Sequence, residues 1–221
     1  AAPMVPFTAT TTGTTLAMAA PENTVKLFVD GVEVVPTGTG WSYYYTNLGS
    51  EGMTVTVVPV TPSTPLGDFT FDNGISAVTN WGEGFKPNAS IRFGTDLVSV
   101  PDHAPPGLKS LNSLFNGSPA FNDPNVVNWD MTGITNTGYM FLGAAAFNQP
   151  IGNWKFDSVT NMDGMFYGTT AFNQDLTGWC VTNITATPSD FGTDSALIPA
   201  NYPVWGTCPV PAPSRIMGFK I

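Results

Sequence analysis

Between positions 115 and 191, the pattern of polar and apolar residues repeats three times. Each round contains a Phe-x-Gly step, a Phe-Asn step and a Trp, and the Trp residues are 25 positions apart. A fixed period of this length is typical of stacked supersecondary units. Because a buried position recurs at a fixed register, we assign these aromatic residues to the repeat core: Phe115, Phe121, Trp129, Phe141, Phe147, Trp154, Phe166, Phe172 and Trp179.

The apolar residues before each Phe-x-Gly step have helical spacing. Residues 108–115 and 159–166 place them at i, i+3, i+6 and i+7, which predicts a short helix. Gly143 and Gly168 follow where such a helix ends. The Phe-Asn-Gln segments between the helices are predicted strands, and an extra residue around 124–127 predicts a bulge or longer loop. Each unit is then a strand plus a short helix, coiling into a right-handed, leucine-rich-repeat-like solenoid.

Residues 1–61 have the alternation of β-strands and no capped helical pattern. Asp30-Gly31 lies between two Val-rich runs and is a strong hairpin signal. Residues 41–46 are aromatic and Thr-rich, and residues 53–58 alternate with period two. We therefore predict a small antiparallel β-sandwich over 1–61, so that the whole chain is mainly β with short helices.

Two prolines make residues 62–67 the best linker, because proline keeps a segment extended. The solenoid and its C-terminal cap are then predicted over 68–209, with a shortened leading unit. Residues 210–221 are predicted to be an extended tail. Its last residues alternate and have the pattern of a strand that adds to a neighbouring subunit, although a frayed terminus explains them equally well.

The composition and charge of the chain argue against two classes of function. The net charge is −9 and the seven Lys and Arg residues are scattered, which argues against nucleic-acid binding. The chain has no run of 18 apolar residues, which argues against membrane insertion. Only 10% of residues are charged, and Gly and Pro are frequent, as in turn-rich proteins with neutral polar surfaces. Ala1-Ala2-Pro3 lacks a signal-peptide pattern, which favours synthesis without export over a signal already removed.

Few residues of the sequence are candidates for a catalytic role. His103, the single histidine, is flanked by prolines and has no nucleophile motif beside it. The carboxylates Asp123, Asp157, Asp163 and Asp175 occupy repeat loops, where Asp caps turns. We therefore predict no catalytic residue, no metal site and no cofactor, and no enzymatic activity. The Trp column is either core or a carbohydrate-stacking platform, and its periodicity favours core.

Two family resemblances follow from these motifs. The Val-Asp-Gly-Val hairpin, the Gly-Trp-Ser-Tyr strand and the closing alternating strand resemble immunoglobulin-like modules of bacterial surface and phage proteins. The run FNQPIGNWKFDSVTNMDGMFYG resembles the BspA-like, mycoplasma-lipoprotein-type 25-residue leucine-rich surface repeat, over about residues 70–209. That resemblance implies a solenoid used for adhesion or display without catalysis. Thr137 in place of a repeat Met, and the Ala186-Thr187-Pro188 break, depart from the pattern.

Cys180 and Cys208 suit the terminal unit of such a repeat. A disulfide between them would hold the tail over the open end, at a gain of roughly 3 kcal/mol. The alternative is two free thiols in a chain that never meets an oxidant. Two cysteines alone do not make a zinc site, which needs four ligands.

These features favour a virion structural protein that decorates the capsid or tail of a bacteriophage, with the first module docking and the solenoid projecting. Its partners would be other coat proteins or copies of itself. The alternative is a bacterial cell-surface or secreted adhesin that binds host proteins or glycans. Tyr43, Tyr44 and Tyr45 are the candidate contact surface, because consecutive strand residues point to opposite faces.

Overall fold

Strands fill the first part of the chain, where apolar residues alternate. The structure, a computed structural model, describes residues 6–13, 15–22, 24–38, 40–47, 50–61, 64–82 and 84–209. The predicted tail at 210–221 therefore lies outside the described residues. The strands are β1 (Phe7–Thr11), β2 (Thr15–Pro21), β3 (Val25–Val29), β4 (Val32–Val34), β5 (Trp41–Asn47), β6 (Thr54–Pro59), β7 (Phe69–Asn73), β8 (Ile75–Asn80) and β9 (Ile91–Phe93).

These strands form two sheets. One has the order β4-β3-β6-β1-β8 and the other β5-β2-β7-β9. All pairs are antiparallel except β7 with β9. Alternate residues of a strand point to the same face, and in β1 and β7 that face lies between the sheets. Phe7, Phe69 and Phe71 are fully buried there, and the residues next to them in the strands are not. The protein is thus mainly β.

Strand pairing continues across the predicted linker at 62–67. β7 and β8 follow that segment, yet β7 pairs with β2 and β8 pairs with β1. The two sheets therefore need strands from both sides of it. Buried residues from Phe7 to Leu197 also belong to one hydrophobic cluster. The division at 62–67 stays a prediction about domains, but it does not separate the sheets.

Beyond β9 the chain forms coils that stack on one another with a period of 25 or 26 residues. The N–H of Phe93 donates to the carbonyl of Leu114 at 3.1 Å, and Phe115 donates to Met140 at 2.9 Å. The same bond recurs from Phe141 to Met165 at 3.0 Å, and from Phe166 to Phe191 at 2.9 Å. The ladder that begins in the β5-β2-β7-β9 sheet thus runs on through the repeat.

The predicted short helices at 108–115 and 159–166 are wrong. Those segments are consecutive turns, and the helices of the described residues are two 3-10 segments, Pro124–Asn128 and Pro199–Asn201. Alternate N–H groups donate to the next coil, as from Leu111 to Asn136 at 2.8 Å. An α-helix would need those same N–H groups for its own i−4 bonds.

The predicted strands in the Phe-Asn-Gln segments are also wrong. Parallel bridges join Ser110 to Asn136 and Asn136 to Asn161, ahead of the turns. The extra residue around 124–127 is neither a bulge nor a loose loop. It belongs to the first 3-10 helix, which Asp123 caps by accepting a hydrogen bond from the Asn125 N–H at 3.0 Å.

Candidate interaction surface

The β3–β4 hairpin places an apolar edge at one side of the sheets. Its Asp30-Gly31 turn has φ values of 46° and 78°, both in the left-handed region that a tight hairpin requires. This confirms the predicted turn. The Asp30 carboxylate accepts a hydrogen bond from the Thr54 N–H at 2.7 Å and fixes the turn on β6. The hairpin then presents β4 as the end strand of the five-stranded sheet.

Large apolar side chains are exposed on this edge and on the neighbouring β5, which ends the four-stranded sheet. Val32 is 70% exposed, Val35 79%, Trp41 42% and Tyr45 65%. We call these four residues the β4–β5 surface. Exposed valines and aromatic rings grouped at sheet edges are unfavourable in water unless a partner covers them.

A cleft of about 440 Å³ lies between β4 and β5. Its charged lining residues are Asp30 and Glu33, so its electrostatic character is acidic. Lys26 contacts the Glu33 carboxylate at 3.2 Å, but both side chains are about half exposed, so this ion pair is weak. The full lining is Val29, Asp30, Val32, Glu33, Val34, Val35, Tyr45, Thr46, Asn47 and Met53.

The three tyrosines predicted as a contact surface have different positions. Tyr44 points inward at 3% exposure, and its hydroxyl donates to the Val25 carbonyl at 2.7 Å. Burial raises the pKa of Tyr44, with a smaller opposing contribution from a hydrogen bond with Ser42. Tyr45 points to solvent. Tyr43 is a β5 residue whose side chain lies outside what the structure describes.

Sequence reasoning missed Val32 and Val35 as surface residues. The available signal was the run Val32-Glu33-Val34-Val35, in which apolar residues occupy both faces of a short strand. Such a strand cannot bury all its valines against a single sheet.

The nine repeat aromatic residues all lie in the core. Each Phe of the set is 0% exposed, and Trp129, Trp154 and Trp179 are 3%, 2% and 0% exposed. Each indole N–H of that Trp column donates to a carbonyl of the previous coil, such as Trp154 to Val126 at 3.0 Å. These rings offer no face for a sugar to stack on.

Phenyl rings form two continuous columns through the coils. In one column the ring centroids of Phe115 and Phe141 are 5.4 Å apart, and those of Phe141 and Phe166 are 5.7 Å apart. The second column consists of Phe121, Phe147 and Phe172, with spacings of 6.1 and 5.5 Å. Aromatic stacking thus joins each coil to the next through the core.

Amide side chains form a matching ladder on the outside of the coils. The Asn148 side-chain oxygen accepts from the Asn173 N–H at 3.2 Å and from the Gln174 amide at 2.8 Å. Asn122 accepts in the same way from Asn148 and Gln149. Each of these Asn side-chain oxygens thus accepts from both the backbone and a side chain of the next coil. The ladder gives the stack an uncharged polar edge.

Cys180 and Cys208 form a disulfide that spans 28 positions. The carbonyl of Thr207, next to Cys208, accepts from the Val181 N–H at 2.8 Å. Tyr202 and Trp205 pack edge-on against Phe191 with centroids 5.4 and 5.0 Å away. Together these contacts close the last coil.

The candidate catalytic groups have structural contacts. His103 Nδ1 lies 3.1 Å from the exposed Asp102 carboxylate, and the His103 carbonyl accepts from the Trp81 indole. The Asp163 carboxylate accepts from the Ser189 N–H at 2.8 Å. Hydrogen bonds from Thr177 lower the pKa of Asp175. Within the described ranges no three His, Cys, Asp or Glu side chains group as metal ligands.

No helix in the described part of the chain has the length and apolarity to span a membrane.

Comparison with protein families gives one match. Residues 106–202 match the DUF285 family, described as a Mycoplasma protein of unknown function. The match covers the coils and their closing segment, and it accords with the resemblance to a mycoplasma-type surface repeat. Nothing matches among the curated proteins or the solved structures.

Proposed function

We propose that this chain is a non-enzymatic surface-display protein, in which the stacked coils are a rigid spacer and the β4–β5 surface makes the contact. One observation carries this proposal: exposed apolar side chains of the first part line one cleft, whereas the aromatic rings repeated in the coils are core. Val35 is 79% exposed and Tyr45 65%, whereas the repeated aromatic rings are buried. Exposed apolar residues grouped in one place mark interaction sites, while the buried columns provide stiffness.

We further propose specific fold types for the two parts. The paired sheets with a shared core support an immunoglobulin-like sandwich, as the hairpin and strand motifs do. The 25-residue period, the parallel bridges at Asn136 and Asn161 and the family match at 106–202 support a right-handed, BspA-type solenoid. Repeats of this type imply display on cell surfaces or virions, without catalysis.

The site of display is proposed from the sequence to be a bacteriophage particle, with the bacterial cell surface as the alternative. The match with a Mycoplasma family of unknown function does not distinguish the two. Imaging with a gold-labelled antibody separates the two. Label on purified particles supports the decoration protein, and label on the cell envelope alone supports the adhesin. Label confined to the cell interior would contradict both.

Substitution at the β4–β5 surface tests the contact itself. Val35→Lys should weaken binding to the labelled surface at least about tenfold, because it places a charge in an apolar contact. Val98→Lys is the matched control, since Val98 is 45% exposed and lies outside the cleft. Equal binding by both variants and the native chain would contradict the proposed contact. A glycan array with Tyr45→Ala tests whether the partner is a sugar.

A further inference from the structure

We infer that the cleft between β4 and β5 binds residues 210–221 of a second copy of this chain, so that copies join head to tail. The inference rests on the proposed function, because it names a partner for the β4–β5 surface.

The cleft suits an extended apolar segment. Val32 and Val35 project from the β4 side and Tyr45 from the β5 side, and all three are more than half exposed. Both strands are end strands of their sheets. A peptide in extended conformation adds readily beside an end strand, with alternate side chains entering the cleft.

Residues 210–221 have the matching sequence. The first part contains Pro211 and Pro213, and proline favours extended conformations and has no N–H to donate. The following residues, 214–221, contain no proline, and their number is close to the seven residues of β5. In extended conformation Met217, Phe219 and Ile221 lie on one face, because strand side chains alternate.

The charges are complementary. Residues 210–221 contain Arg215 and Lys220 and no acidic side chain. The complete sequence has 16 acidic residues against seven basic ones, so this segment differs in sign from the rest. The charged residues that line the cleft are Asp30 and Glu33, of which Glu33 also pairs with Lys26 at 3.2 Å. Opposite charges at a contact favour association and fix its register.

The segment cannot fill the cleft of its own copy. From β5 the ladder passes through β2, β7 and β9 and then four coils, which is seven steps of about 4.8 Å, or about 34 Å. The chain leaves the described region at Pro209, just after Thr207 bonds the last full coil. Residues 210–213 span at most about 14 Å. If residues 214–221 occupy the cleft, they must therefore come from another copy.

Such a contact joins opposite ends of the molecule. Because the two contacting surfaces are different, copies related in this way form a closed ring where the rotation between them closes and an open chain where it does not. The association therefore depends on protein concentration through mass action.

Substitutions in the full chain test the tail. The native protein should show a weight-average mass that rises with concentration in light scattering and sedimentation. Met217→Asp with Phe219→Asp should weaken association at least about tenfold. Ser214→Asp with Gly218→Asp is the matched control, with the same charge change on the opposite face, so it should lose only the electrostatic part and associate at least about threefold more tightly than the Met217→Asp, Phe219→Asp variant. A monomeric native chain, or equal association by both variants, would overturn the inference.

Charge exchange tests the cleft. Glu33→Lys alone should weaken association, and adding Arg215→Glu, on the same face as Met217 and Phe219, should restore most of it. Loss without restoration would place the tail elsewhere and overturn the proposed site. Val35→Lys distinguishes this inference from the proposed function. If it abolishes surface binding while the tail variants associate normally, the contact surface stands and the tail is not its partner.

Discussion

Phe141 is the position where the stacked-ring arrangement makes its strongest prediction. The side chain is 0% exposed and its ring contacts four others. The centroid of Phe147 is 3.9 Å away, Phe115 5.4 Å, Phe166 5.7 Å and Trp154 6.2 Å. Phe141→Ala removes a ring from the middle layer of a column, where both neighbouring coils are held by their own backbone bonds.

Truncation of a buried Phe to Ala costs about 3–5 kcal/mol, and less where the site can collapse. Here collapse is opposed, because rings from three coils fix the walls of the cavity. We therefore expect a loss of about 4–5 kcal/mol, a large part of the 5–15 kcal/mol typical of a whole domain. Urea unfolding, followed by Trp fluorescence and circular dichroism with the disulfide intact, measures this loss.

Tyr139→Ala is the control, because it removes an aromatic ring from the same coil at a position that is 42% exposed. It should change the free energy of unfolding by no more than about 1 kcal/mol. A loss below about 2 kcal/mol for Phe141→Ala, with an unchanged denaturant slope, would refute the reasoning. So would equal losses for the two variants, since burial would then not decide the cost.

Three further predictions concern other parts of the molecule. Replacing Cys180 and Cys208 by Ser should cost about 3–4 kcal/mol in unfolding experiments, from the entropy of a 28-residue loop. Gly94→Ala should destabilise by more than about 2 kcal/mol, because its Cβ would collide with a β7 carbonyl, whereas Gly117→Ala meets open space and pays only for its positive φ of 78°. Burial raises the pKa of Tyr44, so its contribution to stability is present below about pH 10 and is lost as pH rises through the higher folded-state value. The free energy of unfolding should therefore decrease less between neutral and alkaline pH in Tyr44→Phe than in the native chain.

Local signals predicted the hairpin and the buried ring positions. The Asp30-Gly31 turn depends on two adjacent residues that tolerate positive φ, and neighbouring valines complete the pattern. The aromatic columns depend on a period that is visible in the sequence itself. In both cases the physical cause lies in residues close together in sequence or at one fixed spacing.

The predicted helices failed because apolar spacing does not reveal the partner of an N–H group. Spacing at i, i+3 and i+6 fits a helix and also fits consecutive three-residue turns. In this chain Tyr139 donates to Asp163, 24 positions away, and not to its own preceding turn. In the structure each coil also has one residue in the left-handed region, at Ser113, Tyr139, Gly164 and Asp190, with φ between 53° and 59°. Such residues interrupt a helix in every coil.

The position of the contact surface follows from the two ends of the continuous ladder. At the C-terminal end, Tyr202 and Trp205 cover Phe191 and the disulfide holds the closing segment in place. At the other end β5 is the last strand of its sheet, with β4 beside it as the last strand of the other. End strands present unpaired backbone groups, and most soluble proteins shield them with charges or a covering segment. On β4, Val32 is 70% exposed beside the charged Glu33, so this end of the ladder presents apolar side chains next to unpaired strand edges.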